Sequence, residues 1–188
     1  MQSLYDGQNV MFNYSAIRLE GARLKTMGGR ASGPQPLIKL HDFIRETMHN
    51  SQGRKLTALE AHDICNQIAE IVVVGGVRRS SQISLSDLDD EEMRHAKDWP
   101  YPIKRAMANN SAIYRAQPSA AEFLREWASL ALSGTGERGI FNLEAAQSKA
   151  PSRRYSPKIQ GTNPCGEIML RDMQFCNLSE VVIREDDD

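Results

Sequence analysis

One short segment of the chain combines three side chains that can act on a substrate. Asn163, Cys165 and Glu167 alternate within the sequence Asn-Pro-Cys-Gly-Glu, and alternate residues of an extended chain project to the same side. A straight strand would spread the outer two over roughly 13 Å. We therefore expect Pro164 and Gly166 to bend the segment into a loop tip, where an amide, a thiol and a carboxylate would face one bound molecule.

The chemistry of this thiol depends on how it loses its hydrogen. An unperturbed thiol has a pKa of about 8.5, so a nucleophilic cysteine normally needs a base such as histidine. The last histidine in the sequence is His95, so only folding could bring a histidine near Cys165. Hydrogen-atom transfer needs no base, and it leaves the Glu167 carboxylate free to accept a proton. A second thiol, Cys176, follows on a predicted strand and favours redox chemistry; the alternative is a surface turn with an incidental cysteine.

Three further motifs are less specific. Residues 134–139 read Gly-x-Gly-x-x-Gly, but a helix precedes them and an apolar run follows, which reverses the order in a dinucleotide-binding fold. We interpret them as a helix-to-strand turn. Residues 75–80, with two glycines and two arginines, fit a phosphate-binding turn or a solvated turn equally well. His62 and Cys65 lack the paired spacing of a metal site, so we predict no metal site and a buried Cys65.

Four segments are predicted to be helical. Three show apolar residues at helical spacing, and the second opens with Thr57-Ala-Leu-Glu60, which has the form of a capping box. The third carries Phe123 and Trp127 on one face. The predicted helices cover residues 37–48, 57–71 and 118–132, with a short acidic surface helix within 87–92.

Alternating or short apolar runs predict the strands. They lie within residues 9–24, 82–86, 107–114, 140–141 and 174–178, and the segment 107–114 is interpreted as a sheet edge. Glycine and proline make residues 28–36 a loop, and 151–161 is polar and irregular. Because strands and helices alternate, the predicted fold class is α/β.

Composition excludes several classes of protein. The chain has 188 residues, with 23 Lys and Arg against 24 Asp and Glu, so its bulk charge indicates neither a nucleic acid polymer nor a membrane surface as a partner. The longest apolar run, residues 71–77, is far shorter than the ~20 residues of a membrane helix, and no signal segment opens the sequence. Three cysteines favour a reducing compartment. We therefore expect a globular, cytoplasmic chain of one or two domains.

Both cysteine segments near the end of the chain resemble the active-site region of ribonucleotide reductases. Thr162-Asn-Pro-Cys-Gly-Glu-Ile168 is similar to the active-site loop, as is the following segment Phe175-Cys-Asn-Leu-Ser-Glu-Val181. The Pro-Cys-Gly form is most similar to the adenosylcobalamin-dependent class. Further blocks resemble family segments in the same order, and the resemblance covers nearly the whole chain. These blocks are residues 12–15, 28–34, 75–80, 107–111 and 133–141.

The resemblance implies a fold and a role for each site residue. The family fold is a ten-stranded α/β barrel whose active-site cysteine lies on a finger loop at the centre. Cys165 would be the thiyl radical that removes the ribose 3′ hydrogen, and Glu167 would accept the proton of the 3′ hydroxyl. Asn163 would orient the sugar hydroxyls. Cys176 would be one of two thiols that reduce the 2′ position as its hydroxyl leaves as water.

Cofactors and partners follow from the same resemblance. Adenosylcobalamin would generate the radical, a ribonucleotide would be the substrate, and a deoxynucleotide would act as effector. A thioredoxin-type or glutaredoxin-type protein would reduce the complete enzyme. The segments expected to bind substrate or effector contain Gly28, Gly29, Ser32, Gly33, Asn109, Asn110 and Ser111.

The resemblance is to the middle of the family barrel. The second redox cysteine would lie before the segment that matches residues 9–34, and Cys65 does not match its position. We expect residues 1–188 to form a partial catalytic barrel domain that is inactive alone, either as a fragment or as a chain that joins a separately encoded remainder. Two alternatives remain open: a reductase with a separate metal-containing radical subunit, and a nucleotide-binding regulatory module without catalysis.

Overall fold

The computed structural model describes residues 1–25, 28–72, 81–155, 158–177 and 181–182. Its helices are α1 (Gln2–Tyr5), α2 (Gln35–Asn50), α3 (Ala58–Ile71), α4 (Glu91–Arg94), α5 (Ala120–Leu132) and α6 (Leu143–Lys149), with a 3₁₀ helix at Ile103–Met107. Its strands are β1 (Gln82–Ser86), β2 (Ala108–Tyr114), β3 (Gly139–Asn142), β4 (Ile159–Thr162) and β5 (Met169–Arg171).

A parallel sheet in the order β1-β2-β3 forms the centre of the fold. Helix α4 and the 3₁₀ helix connect β1 to β2, and α5 connects β2 to β3, as parallel strands require long crossovers. This arrangement confirms the α/β class, although the described strands do not close into a barrel. Strand β2 has a neighbour on each side, so the interpretation of residues 107–114 as a sheet edge was wrong.

Helices α2 and α3 lie where the apolar spacing predicts them. The predicted capping box is confirmed: Thr57 Oγ1 accepts a hydrogen bond from the Glu60 N–H at 3.2 Å, and the Glu60 carboxylate accepts one from the Thr57 N–H at 2.9 Å. The apolar faces of both helices meet in one core with α1. Its buried residues are Leu4, Leu40, Ile44, Met48 and Ile64.

A second core joins the parallel sheet to the hairpin formed by β4 and β5. It contains Ile113, Phe141, Leu143 and Ile159. Gly161 permits this close packing, because a Cβ atom at that position would lie only 3.2 Å from Leu85 Cδ1 on β1. The hairpin therefore lies against one face of the sheet. Strand β4 also corrects the expectation that residues 151–161 are irregular throughout, since its first residue is Ile159.

The strands predicted within residues 9–24 are absent from that segment. Its backbone forms turns, and its regular pairing is limited to an isolated antiparallel bridge between Arg23 and Arg30. Met11 and Leu19 are 91% and 77% exposed, so the apolar alternation does not mark a buried sheet face. The predicted loop that follows is confirmed as far as Pro34, and α2 begins at Gln35 with Pro36 in its first turn.

Helix α5 forms as predicted, but its aromatic face is not its buried face. The rings of Phe123 and Trp127 stack with centroids 6.4 Å apart, and the two side chains are 41% and 55% exposed. The buried residue of the helix is Glu126, which accepts hydrogen bonds from Arg94 and Arg138. Since a buried carboxylate must be paired, α5 turns this residue toward the two arginines.

The structure confirms some of the remaining predicted strands and helices and contradicts others. The strands predicted at residues 82–86 and 140–141 are confirmed as β1 and β3. The short helix predicted within residues 87–92 forms later in the chain, as α4 at Glu91–Arg94. Residues 174–177 form no strand, and the proposed phosphate turn at 75–80 lies outside the described residues. No helix in the described part of the chain has the length and apolar character needed to cross a bilayer.

Candidate active site

The hairpin carries the reactive segment in its connection. Strands β4 and β5 are antiparallel, and residues 163–168 between them are named the Cys165 loop here. The Gly166 N–H donates to the Asn163 carbonyl oxygen at 3.0 Å, which closes a turn, and Gly166 has φ of 87°. Glycine adopts this left-handed conformation without steric cost. The bend predicted for this segment is therefore present.

Asn163 and Glu167 lie together within the Cys165 loop. The Asn163 side chain is buried, and its Nδ2 donates to Glu167 Oε1 at 2.6 Å. Its Oδ1 accepts from the Ile168 N–H at 3.0 Å. The loop thus uses both ends of the Asn163 amide to hold the exposed Glu167 carboxylate, and direct contact of Asn163 with a sugar stays a prediction.

Cys165 is exposed at the tip of this loop and lines a cavity of about 470 Å³, named the Cys165 cavity here. The cavity lies between the loop and the parallel sheet, and residues 109–111 of β2 form part of its wall. Those three residues belong to β2, as the strand predicted within residues 107–114 indicates. The structure does bring them beside Cys165.

The glycine-rich segment 134–139 forms a helix-to-strand turn, as predicted, and Gly134 and Gly136 have positive φ. The sequence interpretation missed that this turn also lines the Cys165 cavity, through Thr135, Gly136 and Glu137. The sequence signal that could have indicated this role is Glu137, a charged residue between two glycines of the turn.

Lys97 and Glu137 form an ion pair beside the cavity. Lys97 Nζ also donates to the Ala108 carbonyl oxygen at 2.8 Å, and Glu137 Oε2 accepts from the Asn110 N–H at 3.1 Å. The pair therefore binds the main chain at the start of β2. Lys97 occurs in a charged segment that gives no sequence signal of burial, yet its side chain is only 7% exposed.

Cys176 is exposed and lies in an irregular segment. Neither Cys176 nor Glu167 is one of the described residues that line the Cys165 cavity. The structure therefore joins Cys165 with β2 and the glycine-rich turn, and joins Asn163 with Glu167. It does not bring Cys176 into the same cavity.

The predicted substrate or effector segment at residues 28–33 lies elsewhere. Ser32 and Gly33 line a separate cavity of about 470 Å³, together with Arg18 and Arg30. The other two predicted residues, Gly28 and Gly29, have φ of 68° and 82°. They lie between the two residues of the Arg23–Arg30 bridge.

Besides the apolar face that packs on α2, helix α3 buries a polar face. His62 Nε2 lies 3.0 Å from Asn110 Oδ1, and Asn66 Nδ2 lies 3.0 Å from His62 Nδ1. Cys65 lies at the border of this polar stripe, where it lines a surface cavity together with His62, and it is exposed. The prediction of a buried Cys65 was wrong.

Comparisons with known proteins agree with these observations. Residues 79–186 match the family described as "Ribonucleotide reductase, barrel domain". The chain is 37% identical over 179 residues to the adenosylcobalamin-dependent ribonucleoside-triphosphate reductase of Lacticaseibacillus paracasei, which covers 92% of this chain and 23% of that protein. It is 36% identical over 186 residues to the reductase of the same name from Lactobacillus leichmannii, with coverage of 93% and 24%. The chain spans about a quarter of the length of these curated relatives.

A solved structure shows the same similarity. The crystal structure of a B12-dependent (class II) ribonucleotide reductase superposes with a TM-score of 0.66 at 33% sequence identity, over 82% of this chain and 21% of that one. The matched family segment covers more than half of the chain and includes the parallel sheet and the Cys165 loop. The chain therefore belongs to the ribonucleotide reductase family.

Proposed function

We propose that this chain supplies the radical-bearing thiol of an adenosylcobalamin-dependent ribonucleotide reductase, an oxidoreductase that converts ribonucleotides to deoxyribonucleotides. The observation that carries the proposal is the position of Cys165, exposed at the tip of a hairpin loop and facing a cavity of about 470 Å³. Relatives named ribonucleoside-triphosphate reductases favour a triphosphate as the substrate.

Three residues of the Cys165 loop would carry the first half of the reaction. The Cys165 thiyl radical would take the 3′ hydrogen atom of the ribose, and Glu167 would accept the proton of the 3′ hydroxyl. Asn163 holds one oxygen of the Glu167 carboxylate at 2.6 Å, so its support of the reaction would include orientation of that base. The exposed positions of Cys165 and Glu167 on one short loop support this division of roles.

Cys176 would act in the second half. The 2′ hydroxyl would leave as water while Cys176 and a thiol from another part of the complete enzyme lose two electrons and form a disulfide. The sugar gains those two electrons and a hydrogen at C2′, and Cys165 returns the 3′ hydrogen atom. A thioredoxin-type or glutaredoxin-type protein would then reduce the disulfide.

Adenosylcobalamin would supply, when bound, the organic radical that oxidises the Cys165 thiol. The residues of this chain fit that chemistry in one respect: the Cys165 side chain is exposed at a loop tip, where a bulky cofactor can approach it. The segments that contact the cofactor would belong to other parts of the complete enzyme.

We further propose that residues 1–188 act as one partial catalytic barrel domain of a cytoplasmic enzyme. Since the chain spans about a quarter of its relatives, the remaining portions of the enzyme would complete the site, and the isolated chain would be inactive. A deoxynucleotide effector would act on the complete enzyme, and residues 28–33 and 109–111 remain the candidate segments for substrate or effector.

The test compares Cys165→Ser with Cys65→Ser in the complete enzyme. Both change one exposed thiol, but Cys65 lies on α3 and outside the Cys165 cavity. We expect deoxynucleotide formation to disappear in Cys165→Ser and to persist in Cys65→Ser, while effector binding persists in both. Turnover by Cys165→Ser would contradict the catalytic role.

Two alternatives have their own outcomes in the same assay. A reductase with a separate metal radical subunit would show no turnover with adenosylcobalamin alone. A nucleotide-binding regulatory module would bind the effector and form no deoxynucleotide with either radical source.

A further inference from the structure

We propose that Asn109 is a positioning residue that sets where the Cys165 loop lies over the sheet, with Lys97 and Glu137 fixing the strand beneath it. The inference rests on the proposed function, because it concerns the thiol to which the radical is assigned. It gives Asn109 a role different from the contact with substrate or effector that the family resemblance implies.

The first step is a single hydrogen bond between strand and loop. Asn109 Nδ2 donates to the Pro164 carbonyl oxygen at 2.6 Å. That oxygen belongs to the peptide unit that joins Pro164 to Cys165, and a peptide unit is planar and rigid. Because the bond holds one edge of this plane, it also limits the direction in which the Cys165 side chain leaves the backbone.

The second step is that, among the described residues, no other hydrogen bond links the Cys165 loop to the parallel sheet. The bonds from the Gly166 N–H to Asn163 and from the Asn163 N–H to Ile168 fix the internal shape of the Cys165 loop. These two bonds do not fix the distance between the loop and the parallel sheet. Within the described part of the chain, the bond from Asn109 is the hydrogen bond that joins residues 163–168 to the parallel sheet.

The third step is the support of Asn109 itself. Pairing of β2 with β3 begins only at Ser111 and Gly139, so the preceding residues of β2 have no strand on that side. Lys97 and Glu137 take its place by binding the Ala108 carbonyl and the Asn110 N–H.

These two contacts flank Asn109 in sequence. The Lys97 and Glu137 side chains are 7% and 20% exposed, so water competes little with the contacts of Lys97. The ion pair thus braces the backbone on both sides of the residue that holds the loop.

The test measures the alkylation rate of each thiol in the 188-residue chain by iodoacetamide and peptide mass spectrometry, as a function of pH. Asn109→Leu removes the donor at similar size and without a change in charge. Asn109→Gln keeps an amide donor. Cys65 and Cys176 are exposed free thiols and serve as internal controls, and Asn50→Leu makes the same chemical change at an exposed helix end.

Loss of one hydrogen bond should release the loop. We expect Asn109→Leu to raise the plateau rate for Cys165 about threefold to tenfold. The rates for Cys65 and Cys176 should stay as they are in the unchanged chain. Asn109→Gln should restore most of the protection, and Asn50→Leu should have no effect.

The supporting pair has a matching test. The double variant Lys97→Met with Glu137→Gln removes both charges together, so the cavity gains no net charge. We expect it to raise the Cys165 plateau rate in the same direction. When it is combined with Asn109→Leu, the increase should be less than the product of the two separate effects, because both act through one contact.

Two results would overturn the proposal. One is a Cys165 rate in Asn109→Leu equal to that of the unchanged chain. The other is an equal increase for all three thiols in both Asn109→Leu and Asn109→Gln, which would indicate a general structural role. The alkylation assay requires no turnover, so its result is independent of the Cys165→Ser test. The proposed function can be contradicted while the positioning role of Asn109 is supported, and the positioning role can be contradicted while the proposed function is supported.

Discussion

The side-chain amide nitrogen of Asn163 lies 2.6 Å from Oε1 of Glu167, and it is the buried partner that orients an exposed carboxylate. A hydrogen bond to a charged group contributes about 1.5–3 kcal/mol. This relationship makes Asn163 important to the site even without direct contact with a substrate.

The first prediction concerns this pair. Asn163→Ala should lower deoxynucleotide formation by the complete enzyme about tenfold to a hundredfold, since loss of a charge-assisted bond leaves Glu167 free to turn away. Turnover assays of Asn163→Ala, Glu167→Gln and the double variant measure the coupling. If Asn163 acts through Glu167, the substitution adds little in the Glu167→Gln background; fully multiplicative losses would show independent roles.

The second prediction concerns the turn of the Cys165 loop. Gly166 has φ of 87°, and a Cβ there would meet no atom within 4 Å, so Gly166→Ala should cost about 1–2 kcal/mol of unfolding free energy from backbone strain alone. Gly53→Ala is the matched control, because Gly53 has φ of 79° and equally open surroundings. Urea unfolding should show similar losses, whereas only Gly166→Ala should change the alkylation rate of Cys165.

The third prediction concerns the buried carboxylate of α5. Burial raises the pKa of Glu126, but hydrogen bonds from Arg138 and Arg94 outweigh it, and the net pKa lies below the ordinary value of 4.5. Glu126→Gln leaves the buried guanidinium of Arg138 without its counter-charge, while Arg94 keeps its ion pair with Glu91. The substitution should cost about 3–5 kcal/mol in urea unfolding.

Glu122→Gln provides the control on the same helix. Glu122 is an exposed member of the capping box with Ser119, and glutamine can take its place there. The expected loss is below about 1 kcal/mol. Equal losses in Glu126→Gln and Glu122→Gln would contradict the importance of the buried pairing.

The fourth prediction is a pH dependence of stability. Hydrogen bonds from Arg54 and from the Thr57 N–H lower the pKa of Glu60 from 4.5 to about 2. A carboxyl group with a lowered pKa stabilises the folded chain above pH 4.5, and this contribution is lost as the pH falls toward 2. Glu60→Gln should therefore be less stable than the unchanged chain at pH 7, and the difference in urea unfolding should disappear near pH 2. A difference that is independent of pH would rule out the ion pair as its cause.

The sequence predicted the elements whose apolar spacing coincides with their burial. Leu40, Ile44 and Met48 lie on the buried face of α2, and the capping box at Thr57 and Glu60 marks the start of α3. The bend of the Cys165 loop followed from proline and glycine in alternate positions. These features depend on neighbours in sequence, which a pattern can show.

Features that depend on buried polar contacts between distant residues were missed. The buried faces of α3 and α5 include His62, Asn66 and Glu126, which no apolar pattern indicates. The burial predicted for Cys65 was wrong because its neighbours on α3 are buried by polar contacts and Cys65 is exposed beside them. The ion pair of Lys97 and Glu137 was missed because the two residues are 40 positions apart in sequence. They meet only when the parallel sheet has formed. In each case the polar side chain is buried because a specific partner forms a hydrogen bond or an ion pair with it.

The close passage of Gly161 over Leu85 links two positions 76 residues apart in the printed sequence. A methyl group at 161 would lie 3.2 Å from Leu85 Cδ1, so the Leu85 side chain would have to move by a few tenths of an ångström. Among homologous reductases, we expect larger residues at the first position to be accompanied by smaller ones at the second. The packing of strand β4 on the sheet thus depends on a pair of positions that contain no reactive group.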